Sequence, residues 1–198
     1  MCFQALLTAG LETPEDIAID WLTGNIYFSD NAKSHIAVCT SDAHYCKPIV
    51  TEGIDRPRSI VLLATEGMIF WTDWQSHNPH IGAASMDGTQ VKLLVTEDIY
   101  WPNGLALDWP NRRLYWLDAK TQKIESVQTN GQNRHVILKD VLKHPYSIAV
   151  FENSLYWSDW ETKSIQSCDK FTGKNRQTLV RKNSFYGKNF CKDSSNSS

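Results

Sequence analysis

The stretch RRLYWLDAKTQKI (residues 112–124) has three echoes in the chain: NIYFSDNAKSHI from Asn25, MIFWTDWQSHNPHI from Met68 and SLYWSDWETKSI from Ser154. Each copy runs two large aromatic residues, a spacer and an aspartate, with an isoleucine several residues on. The aspartates are Asp30, Asp73, Asp118 and Asp159, separated by 43, 45 and 41 residues. A proline leads each unit: Pro14, Pro57, Pro102 and Pro145, separated by 43, 45 and 43. A fixed period of this length marks supersecondary units stacked side by side. From proline to aspartate is 16 residues in three units and 14 in the last. The shortening falls in VFENSLYW, at a turn, where deletion costs little.

Within a unit the sequence reads as four short strands. In the third these are GLALDW, RLYWLDA, KIESVQ and HVILKD. PNR joins the first two. TNGQN joins the last two, and its Asn130-Gly131 pair tolerates the positive φ of a tight hairpin. Asp87-Gly88 and Thr172-Gly173 occupy the matching turn in units two and four. Four strands about every 43 residues predict an all-β propeller with four four-stranded blades visible. The blades span residues 14–56, 57–101, 102–144 and 145–181. Residues 1–13, containing ALLTAGLE, read as the last strand of a preceding blade, and residues 182–198 as a divergent, disordered tail. A β-sandwich would not repeat one aromatic–acid signature at a fixed offset.

The paired aromatics (Tyr27 and Phe28, Phe70 and Trp71, Tyr115 and Trp116, Tyr156 and Trp157) point to opposite faces of a strand. Large residues on both faces require a sheet covered on both sides, as a blade between two neighbours is. The aspartate beside them must be hydrogen-bonded if buried. Four equivalent carboxylates are read as an inter-blade clasp to backbone N–H groups or hydroxyls, in preference to a catalytic ring, because equivalent repeat positions carry equivalent packing roles.

Bulk composition bounds the function. Twenty basic residues against twenty-two acidic ones give a net charge of -2 over 198 residues, which argues against nucleic acid or an anionic membrane as partner. No apolar run approaches the roughly 20 residues that span a bilayer, and the start lacks the basic region of a secretion signal. Of five cysteines, Cys39 and Cys46 flank TSDAHY at a hairpin tip, so they form either a local disulfide or two free thiols, depending on compartment. No second Cys/His pair lies at zinc-ligand spacing, and no nucleophile elbow or phosphate loop is present.

IYFSD, IFWTD, LYWLD and LYWSD, each behind a Pro-led strand such as WPNGLALD, resemble the YWTD (class B) repeats of the low-density lipoprotein receptor family over about residues 7–181. PEDIAIDWLTGNIYFSD with VCTSDAHYC is similar to insect vitellogenin receptors. The resemblance implies a propeller of six blades, of which four are written here, so the chain reads as an excerpt or short form, an open arc prone to self-association through its edges. Leu117 departs from the family's Ser/Thr. The resemblance further implies no cofactor, an extracellular or endosomal receptor, and as partner a lipoprotein, a yolk protein or the receptor's own neighbouring modules, with release in acid. It points to Arg58, Trp101, Asn103 and Tyr146 as the partner-binding face and to His77, His80 and His144, read as loop residues, as acid sensors. Two other readings remain. One is a nidogen-like or Wnt co-receptor propeller. The other is a calcium-dependent lactonase, in which Asn103 would ligate the ion, although Glu15, Arg58 and Tyr146 at the equivalent positions are a poor ligand set.

Overall fold

In a computed structural model, residues 6–7 and 10–181 are described. Cys2, Cys191 and the tail at 182–198 lie outside them, as does part of the segment 1–13 assigned to a preceding blade.

Four antiparallel sheets follow one another along the chain, each a simple meander of four strands. The first comprises β1 (Pro14–Ile19), β2 (Ile26–Asp30), β3 (His35–Cys39) and β4 (Cys46–Val50). The second comprises β5 (Pro57–Leu63), β6 (Met68–Asp73), β7 (His80–Ser85) and β8 (Lys92–Val95). The third comprises β9 (Pro102–Asp108), β10 (Arg113–Asp118), β11 (Lys123–Gln128) and β12 (His135–Leu138). The fourth comprises β13 (Pro145–Phe151), β14 (Ser154–Asp159), β15 (Ser164–Asp169) and β16 (Gln177–Arg181). Each sheet therefore opens at a repeated proline. The first strands pack in succession, β1 on β5, β5 on β9 and β9 on β13, while β2, β6 and β10 lean on the first strand of the next sheet. The result is the propeller architecture the period implies, as a radial arc. β13 does not pack back on β1 as neighbouring first strands pack on each other.

The aromatic pairs make the glue between sheets. Tyr27, Ile36 and Val50 of the first sheet share a core with Ile60, Ile69 and Trp71 of the second. Phe70, Ile81 and Val95 of the second share one with Leu105, Leu114 and Trp116 of the third. Tyr115 and Ile124 of the third share one with Ile148, Leu155 and Trp157 of the fourth. The first aromatic of each pair thus faces the following sheet and the second faces the preceding one. Ile54, Ile99 and Leu142, from the connectors between sheets, plug the same three cores. Complete burial of one such side chain contributes about 1.5–3 kcal/mol.

Two glycines permit close approach. Trp71 lies across Gly82, where an added Cβ would sit 2.3 Å from the indole. At Gly104 a Cβ would meet the backbone nitrogen of Ile148 at 2.8 Å and Cα of Ser147 at 2.9 Å, so this position brings β9 against β13.

The two ends of the arc expose what the interior interfaces cover. Ile17 is 62% exposed, whereas its counterparts Ile60, Leu105 and Ile148 are 3%, 4% and 7% exposed. At the other end Ile165 is 45% exposed, while Ile36, Ile81 and Ile124 at the same strand position are wholly buried.

Candidate binding face

The aspartates come first, because they position the loops at one end of the arc. All four are buried. Asp30 accepts backbone N–H groups from Glu12, Thr13 and Lys33 at 2.8, 3.0 and 3.2 Å. Asp73 accepts those of Asp55 and Arg56 together with that of Gln75. Asp118 accepts those of Tyr100, Trp101, Lys120 and Thr121. Asp159 accepts those of Lys143, His144 and Thr162. Each carboxylate therefore ties the end of its second strand to the connector that enters its own sheet, and not to a strand of the neighbouring sheet. Burial alone would raise the pKa values of Asp30 and Asp159, but these N–H donors outweigh it and hold both below the ordinary carboxylate value.

The polar links from sheet to sheet lie one residue earlier. Ser29 Oγ donates to the carbonyl of Arg58 at 2.6 Å, and Thr72 Oγ1 donates to the carbonyl of Asn103 at 3.0 Å. Asp16 accepts from Ser59 Oγ at 2.7 Å and from the backbone N–H of Ile60 at 3.0 Å. In the third sheet Leu117 has no hydroxyl to give. There Asn103 Nδ2 donates to the carbonyl of Pro145 at 2.9 Å.

These restraints gather Glu15, Arg58, Asn103 and Tyr146, one from each first strand, at one end of the arc. With Trp74, Trp101, Ala119, His144 and Trp160 they line a cleft of about 390 Å³. Arg58 lies between aromatic faces, its guanidinium carbon 4.8 Å from the centre of the Trp74 ring and 5.6 Å from that of Tyr146. Its Nη1 donates to Asn103 Oδ1, and its Nε stands 3.5 Å from Glu15. Tyr146 stacks on Trp160 at 4.6 Å, and His144 stacks on the same indole at 5.9 Å. Lys120 sits 5.0 Å over Trp101. Trp101 and Trp160 remain about half exposed or more.

This geometry sorts the residues named from sequence. Arg58, Trp101 and Tyr146 do line one cleft. Asn103 does not offer a contact: it is buried, with its oxygen taken by Arg58 and its amide taken by Pro145. The first of these bonds sets the cationic Arg58 guanidinium against the oxygen that a calcium ion would need. His77 is exposed on the loop after β6. His80 is no loop residue. It opens β7, is fully buried, and holds the carbonyl of Asn78 at 2.8 Å through Nδ1. The loop between β6 and β7 is two residues longer than its counterparts, which draws His80 beneath it. Sequence reasoning missed Trp74 and Trp160, although a signal was present: tryptophan follows the motif aspartate in FWTDW and YWSDW alone.

Away from the cleft, Cys39 and Cys46 form a disulfide across β3 and β4, which closes the turn of the first sheet. Cys168 is buried, and burial pushes its thiol up to about 12. No group of three or more His, Cys, Asp or Glu side chains suited to a metal ion occurs among the described residues. No helix among them is long and apolar enough to cross a membrane.

Comparison with known proteins agrees with this geometry. Residues 67–109, 112–152 and 153–188 match the low-density lipoprotein receptor repeat class B model, covering more than half of the chain. Vitellogenin receptor Yl of Drosophila melanogaster is 49% identical over 92% of the chain, and the vitellogenin receptor of Solenopsis invicta 44% identical over 90%. The chain spans 9% and 10% of the lengths of those two proteins. A low-density lipoprotein receptor-related protein 5-like protein of Homo sapiens is 35% identical, with 89% of the chain and 69% of that protein aligned. Among solved structures, a nidogen/laminin complex superposes with a TM-score of 0.81 at 30% identity, over 88% of this chain and 65% of that one. A gluconolactonase from Xanthomonas campestris superposes with a TM-score of 0.69 at 17% identity, over 85% and 61%, which bears on the fold alone. The chain belongs to the low-density lipoprotein receptor class B (YWTD) repeat family.

Proposed function

We propose that the chain is an extracellular, non-enzymatic propeller segment of an endocytic receptor for yolk protein or lipoprotein, and that it docks a protein partner through the cleft around Arg58. The observation that carries this reading is the aromatic wall formed by Trp74, Trp101, Tyr146 and Trp160 about one largely buried arginine side chain. Tryptophan, tyrosine and arginine dominate the binding energy of protein interfaces, because they give much rigid contact area with a polar tip. The similarity to vitellogenin receptors supports a lipid-carrying yolk protein as ligand.

The same face carries the acid response in this reading. His144 stacks on Trp160 inside the cleft, and histidine is the side-chain type whose charge changes in mild acid. Positive charge gained in this cleft, which already holds Arg58, would weaken the hold on a basic partner surface. His77 stands apart on its exposed loop, and buried His80 is out of reach of a partner.

The test is binding of purified vitellogenin to the immobilised chain by surface plasmon resonance. Trp160→Ala and Trp101→Ala are each expected to weaken binding about tenfold or more, with the melting temperature retained. Unchanged affinity in both would remove the cleft as the docking site. Affinity that stays flat between about pH 7 and about pH 5 would remove the acid response.

A further inference from the structure

The first strands begin at the docking cleft and run away from it, into the turns that lead to the second strands. Those turns are apolar at their tips. Seven residues after the repeated proline they carry Trp21, Ala64 and Trp109 in the first three sheets, and Glu152 in the fourth. Trp21 is 70% exposed and Trp109 64%, while Ile19 and Leu22 are more than half exposed. The small side chain of Ala64 stands at the position between the two tryptophans. Trp21, Trp109, Ile19, Leu62 and Leu107 line a cleft of about 620 Å³ there.

A buried carboxylate pins each of these two turns. Asp20 accepts the backbone N–H of Leu22 at 3.0 Å and the hydroxyl of Thr23 at 2.6 Å, on the far side of Trp21. Asp108, directly before Trp109, is held by Lys170 at 2.6 Å and by Asn111 Nδ2 at 2.9 Å. Large apolar side chains held in water on pinned turns mark a surface that something covers. The chemistry of the cleft narrows what that is. No charged side chain lines it, and beyond the two indole N–H groups Thr65 supplies its only polar side-chain atom. The flanking Glu66 and Arg112 pair with each other. A protein interface has an apolar centre and a polar rim that meets the partner's hydrogen-bonding groups. Here the apolar groups stand at the outermost tips. A lipid surface asks for no hydrogen bonds at that edge, and tryptophan suits the level where acyl chains meet wet headgroups.

We propose that this end of the arc seats on a lipid surface without net charge, with Trp21, Leu22 and Trp109 at the headgroup level and the cleft between them over acyl chains. The absence of charge in the cleft selects zwitterionic over anionic lipid, since attraction to an anionic leaflet is carried by clustered lysine and arginine. The net charge of -2 accords with that choice. The proposal is independent of the docking cleft. That cleft lies at the opposite end of the first strands, so a chain seated in this way keeps it open to a protein partner.

Vesicle binding tests it in the full chain. Phosphatidylcholine vesicles are expected to sediment the protein, and admixed phosphatidylserine to leave the bound fraction unchanged. The double variant Trp21→Ser with Trp109→Ser should bind about tenfold or more weakly, at an unaltered melting temperature. Tyr100→Ser, which removes an exposed aromatic residue from the other end of the arc, should bind as the parent does. Equal binding by the double variant would overturn the proposal, as would binding that requires the anionic lipid. A chain that ignores vesicles but dimerises through the two tryptophans would show that a second copy covers this end, and would overturn it too. Should the double variant fail to fold, the unaltered chain still decides. Phosphatidylcholine brominated on its acyl chains is expected to quench part of the tryptophan fluorescence, and the absence of quenching would count against the lipid surface.

Discussion

The side-chain amide of Asn103 donates to the carbonyl oxygen of Pro145 at 2.9 Å, buried between the third and fourth sheets. That bond stands where the family's hydroxyl is lost, since Leu117 replaces the serine or threonine that links the earlier pairs. Asn103→Ala would remove the side-chain donor to the carbonyl of Pro145 and the acceptor for Nη1 of Arg58. A loss of about 1–3 kcal/mol is expected, read as a lower midpoint in urea with an unchanged slope. An unaltered midpoint would mean that the sheets are held by apolar packing alone at this interface.

The aspartate clasps set the response to acid. The pKa values of Asp30 and Asp159 are depressed in the folded chain, so their stabilisation is complete above the unfolded value, near 3.8. It is lost as pH falls through the lower folded values. Thermal stability should therefore hold from neutrality down to about pH 5 and fall steeply below about pH 4. Melting curves recorded across that range check the sign. A loss of structure at endosomal pH would show that some other group controls the acid transition.

Lys170 and Asp108 form an ion pair at 2.6 Å between the fourth and third sheets, with both side chains almost wholly buried. Lys170→Met would strand the carboxylate, at an expected cost of about 3–5 kcal/mol. Replacing both partners with apolar residues should recover much of that loss, since the buried charge goes as well. A double-mutant cycle followed by chemical denaturation separates the two effects.

Gly104→Ala would place a methyl group against the backbone of β13, which cannot swing aside as a side chain can. Destabilisation of about 1–3 kcal/mol is expected, with the fourth sheet released first. Hydrogen exchange should show faster labelling in β13 and β14 than in β5 and β6.

Reduction of Cys39–Cys46 should cost about 2–3 kcal/mol, as expected for a closed loop of this length. In the native protein Cys168 should resist alkylation, because burial holds its thiol protonated at neutral pH. Mass spectrometry after alkylation with and without reductant checks both.

Much of the architecture was legible in one chain. Strand order, sheet count and the facing of each aromatic pair follow from a repeat of about 43 residues and from the alternation of side chains along a strand. Both are local, and a repeated local pattern is amplified each time it recurs. The cleft was only half legible. Arg58 and Tyr146 declared themselves as variable residues after an invariant proline, but the same reasoning put Asn103 beside them as an equal. His80 was misplaced because the two extra residues of its loop hid its position at the head of β7.

The sequence by itself determined the unit: four strands, two aromatics facing opposite neighbours, and a carboxylate beside them. Only the tertiary structure decided what the equivalent positions do. Asn103 became a strut while Arg58 became the centre of a cleft, since the role of each depends on what the neighbouring first strand presents across a few ångströms. Tyr115 and Tyr156 are the same letter in the same motif, yet one is buried and the other partly open. The physical reason is that burial between sheets belongs to the pair in contact and is not written in either strand alone.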